Sequence, residues 1–196
     1  MADLALDETK EVVLVDGAGT NEATIDTVGR LHIAHEGKHQ LNCENKLLYG
    51  LVTDTNMITA AVEAKLILIK NPAASGKVIY LQRWTVLLTN TGNSSGVIRA
   101  YVNPTITLDG TAATIVNTNV GGGGAASAMT AFTSPTTTAN GTFAYATRVQ
   151  GGDGAQPTEI DFEGSIAINP GVNILITGTP DGTNRDLIST FLWLER

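Results

Sequence analysis

The 196-residue chain is long enough for one domain with a good core plus an arm, or at most for two small domains. Its formal charge is −7, and its 12 Lys and Arg form no cluster able to neutralise phosphates, which argues against direct nucleic-acid binding. Only 16% of residues are charged, well under the ~25% of ordinary soluble domains, while 42% are hydrophobic, so wholesale disorder is not expected, and the low charge fits either a stable extracellular-type β domain coated with Thr, Asn and Ser or, the reading preferred here, a surface covered by neighbouring subunits.

The first residues, Met1-Ala2-Asp3-Leu4-Ala5-Leu6-Asp7-Glu8, are acidic, without the basic and apolar regions of a signal peptide. Residues 1–28 read as an arm with one strand-like run, Glu11-Val12-Val13-Leu14-Val15, too poor in apolar residues to make a core of its own. Such a segment orders by adding to a sheet, in its own subunit or in a neighbour. Residues 30–36 read as a short strand. Residues 46–52 suit either a short helix or a strand, since periodicity does not separate the two over so few positions. An arm with linking strands over 1–60 and a β-sandwich domain over 61–196 is the expected division.

From residue 61 the β pattern is more regular. Residues 64–70 are apolar and read as buried on both faces; residues 78–88 form the longest expected strand. The loop Thr89–Gly96 is rich in turn-forming residues. Residues 97–102 end at Asn103-Pro104. Residues 105–108 are closed by Asp109-Gly110, a hairpin signal that would pair them with 113–116. Gly121 to Gly124 break the pattern, and the Ala, Thr, Ser and Gly that follow to Asn140 read as a long exposed loop or one ordered by a partner. Residues 142–149 alternate Phe143 and Tyr145 with small residues. The segments 160–168, 172–177 and 187–194 are the last strands, separated by Asn169-Pro170-Gly171 and by the turn at Pro180-Asp181-Gly182. About eight strands from residue 64 onward predict an all-β fold: an antiparallel, jelly-roll-like β-sandwich with an extended N-terminal arm. An immunoglobulin-like sandwich would need a Cys…Trp…Cys spacing, and Cys43 is the only cysteine. A single cysteine also means no internal disulfide, as in a protein assembled in a reducing cytoplasm. No apolar run approaches the ~20 residues that span a bilayer, so no membrane contact is expected.

No catalytic set stands out. Asn71-Pro72-Ala73-Ala74-Ser75-Gly76-Lys77-Val78 resembles a phosphate-binding loop, but the motif needs Gly where Asn71 stands and Ser or Thr where Val78 stands. A turn between strands explains it. His32, His35, His39 and Cys43 carry zinc-type ligands. Gly37 interrupts any helix that would align the last three, and His32 sits on an expected strand, so solvent-facing polar positions and a small thiol are the reading. Asp161 and Glu163, on one face of an expected strand, could form a glycosidase pair; a solvated strand face explains them as well. Asp109, Asp153 and Asp181 sit in Gly-rich turns without the alternating acids of a calcium loop. Trp84 and Trp193 lie inside apolar strands and are expected in the core. No catalytic, cofactor or metal site is assigned, and no enzyme activity is expected.

Two stretches carry a resemblance. Ala64-Lys65-Leu66-Ile67-Leu68-Ile69-Lys70-Asn71-Pro72, followed by Ser75-Gly76-Lys77-Val78-Ile79-Tyr80-Leu81-Gln82-Arg83, is similar to structural proteins of tailed bacteriophages. So is the ending, Ile168-Asn169-Pro170-Gly171-Val172-Asn173-Ile174-Leu175-Ile176 and then Leu192-Trp193-Leu194-Glu195. The resemblance spans roughly residues 29–196 and rests on turn chemistry. It implies a virion protein assembled in the host cytoplasm, a capsid decoration or cement protein. Its implied partners are the major capsid protein and itself, as a homotrimer. A neck, fibre or tail-tip component of the same virion is the alternative, and a carbohydrate-binding β-sandwich module is another. No functional residue is transferred, because such proteins act through extended surfaces.

Overall fold

The computed structural model describes residues 48–57, 60–89, 94–119, 124–151, 156–182 and 185–196, and, as backbone only, three short strands before them. The chain divides into two units, 1–45 and 46–196. In the first, β1 (Val12–Val15), β2 (Glu22–Ile25) and β3 (Leu31–Ala34) pair antiparallel in that order. Val12 lies opposite Ile25, and Glu22 opposite Ala34. The expected arm strand is β1, and a meander accompanies it.

The second unit is all-β. Its strands are β4 (Leu48–Met57), β5 (Ala64–Lys70), β6 (Ile79–Thr89), β7 (Ser94–Val102), β8 (Thr105–Leu108), β9 (Thr111–Ala113) and β10 (Ile115–Asn117). There follow β11 (Thr130–Thr133), β12 (Thr136–Ala139), β13 (Thr142–Gly151), β14 (Thr158–Ile168), β15 (Asn173–Pro180) and β16 (Arg185–Glu195). The segment that suited helix or strand is therefore strand, part of β4. Its Tyr49, Leu51, Thr53, Thr55 and Met57 are buried at every second position, the period of a strand with one face inward.

These strands form one mixed sheet that nearly closes into a barrel-like shape, with β8 and β12 apart as a small two-stranded sheet. The large sheet has two antiparallel halves. One runs β10-β4-β16-β6-β14, the other β13-β7-β15-β5-β11-β9. A single parallel pair, Gly151 with Leu88, joins them on the β13/β14 side. On the opposite side the chain itself crosses over: β9 pairs with β11 in one half, and one residue later β10 pairs with β4 in the other.

The core lies between the halves. Trp84 stacks on Phe191 with ring centroids 5.1 Å apart and meets Tyr145 edge-on, and Tyr49 stacks on Trp193. Trp84 and Trp193 are 1% and 0% exposed, as their apolar strands indicate. Both indole N–H groups are satisfied: Trp84 Nε1 donates to Ser189 Oγ at 2.7 Å, and Trp193 Nε1 to Glu195 Oε1 at 3.0 Å.

Three local expectations need correction. The stretch to Asn140 is not one exposed loop: it holds β11 and β12, and Met129, Ala131 and Pro135 are buried. Thr-rich segments suit strands when a neighbouring edge is available, and β5 supplies one to β11. Asp109-Gly110 does not close a hairpin between β8 and β9, because β8 pairs with β12 and β9 with β11. Gly110 instead turns a corner at φ +94°, where a Cβ would collide with the Thr133 carbonyl oxygen. Phe143 and Tyr145 do not share a face. A bulge between them sends Phe143 outward, 58% exposed against Tyr101, and Tyr145 inward against Trp84.

Candidate functional site

The apolar space between the halves is the first place to seek a ligand. A cavity of about 60 Å³ lies there, lined by Ile69, Leu81, Trp84, Tyr145, Phe162 and Phe191 among others. Ligand pockets run to roughly 300–1,000 Å³ and aim a few polar groups at their contents. This void does neither. A shallow depression of about 240 Å³ over Ala112, Ile115, Ser127, Met129 and Phe132 holds no charged side chain.

The polar clusters knit strands together. Glu63, just before β5, accepts hydrogen bonds from Thr177 Oγ1 at 2.7 Å, Tyr101 Oη at 3.0 Å and Asn140 Nδ2 at 2.8 Å, with Lys65 Nζ 3.5 Å away. Burial by itself would raise its pKa. The hydrogen bonds from Thr177, Tyr101 and Asn140 and the Lys65 charge outweigh that, and they hold the carboxyl below the ordinary value of 4.5. Burial first, then the hydrogen bond to Glu63 and its charge, raise the Tyr101 phenol. The folded carboxyl binds its proton less tightly than the unfolded one. Its stabilisation is therefore complete above the unfolded value and is lost as pH falls through the folded one. Urea melts of wild type and Glu63→Gln should differ most at neutral pH and converge in acid, as pH falls below the ordinary value of 4.5 and through the lowered folded one. A gap that persists unchanged into acid would mean the charge plays no part.

Glu195 is 2% exposed. Its carboxylate accepts from Ser127 Oγ, from the Ala128 backbone N–H at 2.9 Å and from Trp193 Nε1. It fastens the inserted segment 124–129 to β16. Burial first, then the Glu195 charge, raise the Tyr49 phenol.

The candidate chemistries are now placed. Asn71 is fully buried, and its Nδ2 donates to the Lys77 and Ile168 carbonyls, so the loop resembling a phosphate cradle is a turn held shut by its own side chain. Asp161 and Glu163 sit at an irregularity of β14 where Glu163 has φ +47°. The Glu163 N–H donates to Asp161 Oδ1, and Arg83 pairs with Asp161 and Glu159. Asp109 pairs with Lys70, and Asp181 with Arg148. His32 falls within β3; its side chain, and His35, His39, Cys43 and Asp153, lie outside the described residues. Among the described residues no group of three or more His, Cys, Asp or Glu could hold a metal ion, and no helix is long and apolar enough to cross a membrane.

What remains is surface, and the two outer faces differ. Across the half that contains β5, registers align Phe132, Leu68, Leu175, Tyr101 and Phe143 in one row, whose middle is covered, since Leu68 and Leu175 are fully buried, while Phe143 at its end is exposed. Lys65, Lys70 and Arg99 stand beside that row, paired with Glu63 and Asp109. Across the other half, registers bring Val116, Gly50 and Leu192 together, then Val52 beside Thr190 and Leu48 beside Leu194. Val52 is 66% and Val116 50% exposed. Period-two alternation along 187–194 puts Leu192 and Leu194 on the face opposite Phe191 and Trp193; their β4 and β10 neighbours are revealed only by strand pairing. The chain matches no family model, and neither a curated protein nor a solved structure is similar to it.

Proposed function

We propose that this chain is a virion structural protein, a capsid decoration or cement protein that stabilises a phage head by bridging major capsid subunits. The observation that carries the reading is the strand order. Number the eight long strands β4, β5, β6, β7, β13, β14, β15 and β16 from one to eight. One half then runs one-eight-three-six and the other two-seven-four-five. That is the interleaved order of a jelly roll, an architecture that recurs in viral capsid and lectin domains, and we read the second unit as a jelly-roll β-sandwich. The low charge, the small apolar void and the clusters spent on joining strands support a protein that works by contact. The partners of this reading are the major capsid protein and further copies of the chain, as a homotrimer, and the location is the virion.

Mass spectrometry of purified virions is expected to find the chain at a copy number on the order of hundreds, as symmetric decoration requires. A few copies per particle would move it to the neck, fibre or tail tip, and its absence from particles would end the virion reading.

A further inference from the structure

We infer that the outer face of the half formed by β10, β4, β16, β6 and β14 is a self-association surface, on which two copies of this chain pack sheet against sheet about a two-fold axis. Strand alternation sends Leu51, Phe191, Trp193, Trp84 and Val86 into the core and leaves Leu48, Val52, Ile188, Leu192 and Leu87 on the other side. Cross-strand pairing makes them contiguous: Val116 with Gly50 and Leu192, Leu48 with Leu194, Ile188 with Leu87. The centre is uncharged. Charges begin at its rim, with Asp54 opposite Ile188 toward one end of β4, Asp186 on β16 opposite the neutral Asn56, and Arg83, opposite Leu192, with Glu159 and Asp161 on the β6/β14 side. An apolar centre inside a polar rim is how interfaces are built.

Area and charge select the occupant. Strands ~4.8 Å apart with a rise of ~3.4 Å per residue make this face, four strands of 10 or 11 residues and the three-residue β10, roughly 700–800 Å² with its charged rim included. A standard interface buries ~800 Å² on each partner. An uncharged centre gives a basic or acidic partner nothing to recognise. The opposite outer face of the same unit carries Lys65, Lys70, Arg99 and Glu63, so it is no complement either. A second copy brings the same uncharged patch with the same twist, and twisted sheets pack face to face ~10 Å apart. A two-fold contact of this kind is self-complementary. It is separate from any contact that would make a trimer, and it does not depend on the virion reading.

Sedimentation equilibrium of the full chain at about 10 µM tests it. The expected mass is twice the 20.5 kDa of one chain, or an even multiple. The double substitution Val52→Glu, Val116→Glu places four carboxylates in the paired face at positions that are exposed in one copy, so the fold survives, as circular dichroism will check. It is expected to halve the mass, while Phe143→Glu on the opposite face leaves it unchanged. A monomeric or odd-numbered wild type overturns the inference; the face is then covered by another segment of the chain or by a different protein. A folded double variant that keeps the wild-type mass overturns it too. Virions lacking the chain would end the virion reading and leave this pair standing.

Discussion

Trp193→Ala is expected to lower stability by about 3–5 kcal/mol, the cost of truncating a fully buried aromatic. Trp193 is 0% exposed on the central strand of one half, between β4 and β6. Its ring stacks on Tyr49 at 6.4 Å. Truncation opens a cavity the surrounding strands cannot close, since each is tied to two neighbours. It also removes one of the three donors that hold the buried Glu195 carboxylate. Urea melts are the measurement. An unchanged midpoint would mean that the indole packs against nothing.

Glu195→Ala is expected to cost about 2–3 kcal/mol, in the range of hydrogen bonds to a charged group together with the donors they leave unpartnered. The loss falls on the Ser127 hydroxyl, the Ala128 N–H and the Trp193 indole at once. The readout specific to this role is local. Hydrogen exchange at the Ala128 amide should accelerate in the variant well beyond that at Val86 in the core. Equal acceleration at both would make Glu195 a general stabiliser and not the fastener of the insertion. Because the two variants share a hydrogen bond, their effects should add to less than their sum.

What could be read from the sequence follows from the range of the interaction that decides it. Trp84, Trp193 and the alternation of 187–194 report burial through local pattern alone, and the structure places them as that pattern indicates. Phe143 and Tyr145 also alternate, yet they part because of a bulge, and a one-residue slip leaves no mark in hydrophobic periodicity. The Asp109-Gly110 turn is real, but which strand follows it was settled by the edge β5 offers to β11, a long-range choice. The Glu195 fastening joins residues 67 and 68 positions apart, beyond the reach of any spacing rule. The apolar centre of that outer face is half visible in Leu192 and Leu194. The other half, Val52 and Val116, becomes its neighbour only through pairing.

The strand order also sets a timetable. In each half a strand from late in the chain lies between two from early in it: β16 between β4 and β6, β15 between β5 and β7. Until β15 and β16 arrive, β4 and β5 have no long partner, because neither pairs with the other or with β6. Contacts that span well over a hundred residues must close before most of the ladder can form, as when Leu48 meets Leu194. Chains dominated by such non-local pairing fold in milliseconds to seconds, orders of magnitude slower than helical bundles. During that interval β6, with its alternating Trp84, Val86 and Leu88, is an uncovered edge that another chain can capture. Assembly of this protein thus competes with strand exchange for as long as its last two strands remain unplaced, so dilution and lowered temperature should favour correct recovery after denaturation.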